Sequence, residues 1–234
     1  MEIESIRVER LYLKVAKQLS QQISDGNIQS GERLPSERDL ASSFGVSRPT
    51  IREAMIALEI ADMIEIRSGS GIYVRSVASK DGDELPDDAP GPLELLEARY
   101  HFEGDAAALA AKRASKAEIA EMEQALAERE SENRQAESHE SADEIFHLSI
   151  AAATRNSAIH AAIRRLWELR KMTEMSIFFH EKLRSQGIKP VIRDHRAILE
   201  AIKKRDPNGA RAAMQSHLKR VIDAIVEDGD DSSI

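Results

Sequence analysis

Four side chains in the C-terminal half are spaced for metal chemistry. Asp143 and His147 stand four residues apart, so on a helix both point the same way. Phe146 and Ile150 place that pair beside an apolar stripe. His195 has apolar residues at i−3, i+3, i+4 and i+7 (Ile192, Ile198, Leu199 and Ile202), and His217 has Ala213, Met214, Val221 and Ala224 at matching offsets. Both imidazoles therefore face the buried side of a helix. Three imidazoles and a carboxylate inside one bundle are costly unless something satisfies them, and a divalent ion would do so. The chain has no cysteine, which excludes disulfides and leaves His, Asp and Glu to hold a metal. That set suits zinc first, with nickel or manganese as alternatives, and leaves coordination positions open. An inward histidine can equally be a satisfied core residue, and spacing alone leaves both readings standing. His101, His139, His160 and His180 are read as surface or packing residues.

A second chemistry lies near the N-terminus, where Arg38, Arg48 and Arg52 cluster. Guanidinium groups fork onto guanine edges and phosphates, and Ser36, Ser47 and Thr50 can add phosphate contacts. The elements that would carry them are legible. Leu11, Val15, Leu19 and Ile23 recur every four residues, which predicts an amphipathic helix over 11–24, stopped by Asp25-Gly26. Ser36 caps a short helix to about Phe44, with Asp39 three places on, and Gly45 breaks it. Ser47 caps a helix from Arg48 to about Ala61, with Pro49 tolerated in its first turn. Residues 63–67 and 71–75 then read as two strands around Ser68-Gly69-Ser70. Helix, short helix, Gly-containing turn, helix and hairpin is the order of a winged helix-turn-helix, whose third helix enters the major groove. Ile51, Met55, Ile56 and Leu58 would pack the core while Arg48 and Arg52 share an outward edge, and Gly69 would let the wing tip approach a phosphate or the minor groove.

Composition sets the frame. Aromatics are 4% of 234 residues, so the cores must be built from Ala, Leu and Ile, which favours packed helices. The net charge of −8 weighs against a nucleic-acid partner only if it is spread evenly, and it is not. Residues 1–78 hold ten Lys/Arg against eleven Asp/Glu, so the acidity sits further on and a basic face near the N-terminus remains open. There is neither a signal peptide nor an apolar segment long enough for a bilayer, so the expected location is cytoplasmic with no membrane partner. The Asp-, Pro- and Gly-rich stretch 76–91 reads as a linker. Beyond it, helices are expected to start near Pro92, Ser115 (a capping box with Glu118), Ser138, Asn156, Pro190 and Pro207. The fold class is mainly α: a winged helix-turn-helix over 1–75, the linker, an all-α bundle of six to seven helices over 92–228, and a tail over 229–234.

The stretches G-E-R-L-P-S-E-R-D-L, G-V-S-R-P-T-I-R-E-A and I-E-I-R-S-G-S-G-I-Y-V resemble the N-terminal domain of the GntR family of transcription regulators. The resemblance implies that Arg38, Arg48 and Arg52 carry operator recognition, with Gly69 in the wing, and that a homodimer reads an inverted repeat in double-stranded operator DNA. Residues 91–227 resemble the ligand-binding (FCD) domain of the FadR subfamily. There, an Asp-x-x-x-His pair and two later histidines hold a metal, and here they fall on Asp143, His147, His195 and His217. Within that subfamily, G-P-L-E-L-L-E-A-R, A-T-R-N-S-A and R-D-H-R-A-I-L-E-A-I-K-K-R-D-P are similar to the hexuronate regulators of the ExuR/UxuR type. The implied effector is a hexuronate or related sugar acid bound beside the metal. Arg99 would pair with its carboxylate or form a structural salt bridge. Asn156 would hydrogen-bond the effector or cap its own helix, and Trp167 and Arg170 would line the pocket or a packing seam. The implied function is that of a repressor, not an enzyme, released from DNA by the effector. A metal-responsive regulator and a metal-dependent enzyme acting on sugar acids are the competing readings.

Overall fold

The computed structural model describes residues 10–67, 69–75, 85, 89–135, 141–185 and 191–227. The expected tail, most of the expected linker, the helix starts at Ser138 and Pro190, Ser68 of the wing turn and His139 lie outside the described residues. The chain divides into two compact units. One comprises Met1–Leu93, Thr173–Lys182 and Ile225–Ile234, the other Glu94–Met172 and Leu183–Ala224.

In the first unit, α1 (Leu11–Ser24), α2 (Glu37–Phe44) and α3 (Arg48–Ile60) precede a hairpin of β1 (Ile64–Arg67) and β2 (Gly71–Val74). The buried stripe of α1 is Tyr12, Val15, Ala16, Leu19 and Ile23, while Leu11, expected to be part of it, is exposed. Leu11 opens the helix, and the i, i+3, i+4, i+7 repeat starts one residue later at Tyr12. Gly45 ends α2 in the left-handed region (φ 64), where a side chain on Cβ is penalised, and this makes the sharp turn into α3. The strands pair antiparallel with Ile64 opposite Val74 and Ile66 opposite Ile72. Residues 31–34 add a further rung: the Gly31 N–H donates to the Val74 carbonyl (2.8 Å), the Val74 N–H to Glu32 (2.9 Å) and the Leu34 N–H to Ile72 (2.9 Å). Ile51, Met55, Leu58, Ile64, Ile72 and Val74 are buried with the α1 stripe.

The second unit is built from α4 (Pro92–Arg113), α5 (Lys116–Gln135), α6 (Ser141–Ala153), α7 (Ser157–Met172), α9 (Ile192–Lys203) and α10 (Pro207–Glu227); α8 (Glu174–Ser185) falls mostly in the first. The sequence places no boundary between α7 and α8. The break comes at Thr173, whose hydroxyl accepts the Ser176 N–H (3.3 Å). The capping box at α5 forms as read: Ser115 Oγ accepts the Glu118 N–H (3.2 Å) and Glu118 accepts the Ser115 N–H (2.6 Å). α5 packs on α6 and α9, and α6 on α7. Small residues on α4 and α6 (Ala106, Ala151) let Ile163 and Trp167 of α7 close one core cluster, in keeping with a chain that has few aromatics. No helix among the described residues is long and apolar enough to cross a membrane.

Candidate functional site

The sequence-read histidines converge in the second unit. His147 on α6, His195 on α9 and His217 on α10 are all buried and offer ring nitrogens within 4.8 Å of one another. Their ring centroids lie 5.6 Å (His147–His195), 5.4 Å (His147–His217) and 4.4 Å (His195–His217) apart. Asp143, one turn before His147, borders the cluster: its Oδ1 is 2.8 Å from His195 Nε2 and 4.0 Å from His147 Nε2. Arg129 Nε lies 3.6 Å from the same oxygen.

Burial pushes the Asp143 carboxyl up, but the hydrogen bond from His195, with His147 and Arg129 beside it, outweighs it and holds the acid well below the usual range. Burial pushes His147 down and takes His217 down to about 4. Both are therefore neutral imidazoles near pH 7, the form that ligates a metal. His147 Nε2 is buried with no hydrogen-bond partner. An orphaned lone pair inside a core is costly, and a cation among these nitrogens is what would satisfy it. The donor set thus fits a divalent ion, held by the three histidines with Asp143 at hand.

A residue the sequence reading missed stands behind His147. Glu103 on α4 is 1% exposed. Its Oε1 accepts Arg99 Nε (2.6 Å) and Trp167 Nε1 (3.2 Å), and its Oε2 meets His147 Nδ1. Burial pushes this carboxyl up, yet the Arg99 guanidinium and His147 together outweigh it and the group is held at about 2. Arg99 is itself buried, over the Trp167 ring at 4.0 Å, with Arg170 4.8 Å from the same ring. Of the two alternatives for Arg99, the structure shows the salt bridge: its Nε is used by Glu103, beside the histidine cluster. Asn156 is exposed and caps α7, its Oδ1 accepting the Ala158 (3.0 Å) and Ile159 (3.3 Å) N–H groups.

In the first unit, Ser36 and Ser47 cap α2 and α3 by accepting the Asp39 and Thr50 N–H groups, and Ser47 also bonds the Thr50 hydroxyl (2.8 Å). Arg38 is almost fully solvated, its side chain 79% exposed, and Arg48 is half-buried at the start of α3. Arg52 departs from the expected outward edge. It is 7% exposed and forks onto Glu37, Nε to Oε1 at 2.8 Å and a terminal nitrogen to Oε2 at 2.7 Å. The reason is the helix register: four residues from Arg48 but one turn deeper along α3, Arg52 meets the first turn of α2, where Glu37 offers a matching planar partner. Gly69, exposed with φ 66, turns the wing with open space around it. Beside it a shallow pocket is lined by Arg33, Ser36, Glu37, Arg67 and Gly69. Arg33 and Arg67, exposed at this rim, were not singled out in the sequence, because neither shares a helix face with the other arginines.

Comparison with known proteins follows the same division. Residues 11–74 match "Bacterial regulatory proteins, gntR family" and residues 94–220 match the FCD domain. The chain is 38% identical to the Uxu operon transcriptional regulator of Escherichia coli, over 94% of this chain and 88% of that protein. It is 37% identical to the Uxu operon regulator of Haemophilus influenzae, over 92% and 81%. It is 34% identical to the Exu regulon transcriptional regulator of Escherichia coli, over 94% and 85%.

Proposed function

Because the chain belongs to the gntR family of bacterial regulatory proteins, as a DNA-binding transcription regulator with an FCD domain, we propose that it is a repressor of hexuronate metabolism, released from its operator by a sugar acid bound beside a divalent metal. The observation that carries this reading is the buried trio His147, His195 and His217, with Asp143 beside it and the Arg99 guanidinium one carboxylate away. The three histidines and Asp143 would hold the ion, zinc in the first instance. Such an ion supplies open positions for a carboxylate or hydroxyl oxygen of the effector. Arg99, fixed at Nε by Glu103 and stacked on Trp167, would present its terminal nitrogens as a fork to the effector carboxylate. Asn156 is spent on its helix cap and stays outside the effector set.

On the DNA side, Arg38 and Arg48 would contact the operator, with Thr50, Ser36 and Ser47 at phosphates and the Gly69 wing at the adjacent groove. Arg52 serves by locking α2 to α3 through Glu37. Two copies of the chain would read an inverted repeat. Similarity to the Uxu and Exu regulators supports the hexuronate class.

The test is the melting of the full chain with hexuronates and aldonates, with and without chelator, run beside operator release. A true effector at a hundred times its Kd stabilises by about 2.7 kcal/mol, and this shift is expected only when a divalent ion is present. Operator binding that follows zinc or nickel and ignores every sugar acid would make the chain a metal sensor. Turnover of a sugar acid that vanishes in His195→Ala would make it an enzyme.

A further inference from the structure

We propose that Glu103 is a positioning residue that sets His147 in the tautomer needed for metal and joins that ligand to Arg99; the inference rests on the metal reading above. The two ring nitrogens of His147 meet different surroundings. Nδ1 meets Glu103 Oε2 and Nε2 has no hydrogen-bond partner although it is buried. A carboxylate oxygen held against an imidazole nitrogen requires a hydrogen between them. Nδ1 therefore carries the proton, and Nε2 keeps its lone pair for the histidine cluster. This is the arrangement in which a carboxylate behind a ligating histidine orients the ring and raises its basicity.

Glu103 is built for that task. It is buried on α4, 44 residues from His147 in the chain, and three donors engage its two oxygens. The Trp167 indole N–H and the Arg99 Nε both hold Oε1, so the carboxylate plane cannot turn away from His147 without breaking two further bonds. The Arg99 and Arg170 guanidinium groups in turn both lie over the Trp167 ring. His217 has only a looser counterpart, with its Nδ1 3.9 Å from Asp194 Oδ2, and His195 meets Asp143 through Nε2. Among the described residues, His147 is thus the candidate ligand with a close carboxylate on the ring nitrogen that faces away from the cluster. That carboxylate also grips Arg99, so the metal ligand and the guanidinium proposed for the effector share one anchor.

The experiment uses the full chain and Glu103→Gln, which keeps the shape but no longer fixes which ring nitrogen is protonated. Zinc affinity is measured by competition with a chelating dye, and His147 is read by long-range 1H–15N correlation spectra of the metal-free protein. In the wild type the expected state is a single Nδ1–H tautomer. In Glu103→Gln the expected results are a mixed tautomer and zinc binding weakened about 10–100-fold, with cooperative melting retained. Zinc affinity within about twofold of wild type in the variant overturns the inference. So does a wild-type His147 that carries its proton on Nε2, a measurement that holds even if the variant fails to fold. Wild-type protein that takes up none of zinc, nickel or manganese overturns the metal reading and this inference with it, whereas zinc uptake with the wrong tautomer overturns the inference alone.

Discussion

Arg48 and Arg52 are the same residue type four places apart on one helix, and they have different fates. Arg52 and Glu37 form a buried, bidentate pair; removing one partner from such a pair strands a charge and costs about 3–5 kcal/mol, whereas replacing both with apolar residues of similar size is close to neutral. Arg52→Ala should therefore lower the denaturation midpoint of the chain sharply, and Glu37→Met with Arg52→Leu should recover most of the loss. Arg48→Ala should lower the midpoint far less than Arg52→Ala does and weaken operator binding by about 1–3 kcal/mol, as read by anisotropy of a labelled duplex. Equal stability losses in Arg48→Ala and Arg52→Ala would contradict this division. The histidine cluster was legible because each imidazole sits at a fixed offset from apolar neighbours on its own helix. Glu103 was not: it stands in the run Phe102-Glu103-Gly104-Asp105, which reads as an ordinary helix surface, and its partners His147 and Trp167 are 44 and 64 residues away. Pairings that close only through tertiary packing leave no local periodicity to read.

Most helix boundaries carried chemistry that sequence shows directly. Ser36, Ser47 and Ser115 all cap where read, because a side-chain oxygen three residues before an orphan N–H is a purely local signal. The junction at Thr173 escaped for the opposite reason. No glycine or proline separates α7 from α8, and the apolar pattern through Trp167, Met175 and Phe179 runs on without a gap. Only the Thr173 hydroxyl, accepting from Ser176, marks the restart, and α8 then falls in the other compact unit over Thr173–Lys182. There Lys182 pairs with Glu59 of α3, which also accepts the Ile66 N–H of β1 (3.0 Å). The caps differ in what their loss should do. Ser115→Ala breaks a reciprocal box and should cost about 0.5–2 kcal/mol of global stability, read as a shift in denaturant midpoint with the slope unchanged. A change in slope instead would mean that α5 frays on its own and is not part of the cooperative unit.

The charge of the whole chain, −8, is placed so that it does not prevent DNA binding, since residues 1–78 are nearly neutral and Arg38, Arg48 and Arg67 lie on α2, α3 and the wing hairpin. Release by the proposed effector would then have to come from a difference in how the two ligands bind the states of the chain, and not from bulk repulsion. If a hexuronate weakens operator affinity by some factor, operator DNA must weaken hexuronate affinity by the same factor. For a coupling of about 1–3 kcal/mol that factor is roughly 5–150. The prediction is checked by titrating the metal-loaded chain with hexuronate, alone and with saturating operator, at one fixed salt concentration, because phosphate contacts make the DNA arm steeply salt-dependent. The expected result is an effector Kd raised by operator to the extent that effector lowers operator binding. An effector Kd that is the same with and without operator would mean that the sugar acid makes no distinction between the two states, and the release mechanism proposed here would then have no free energy behind it.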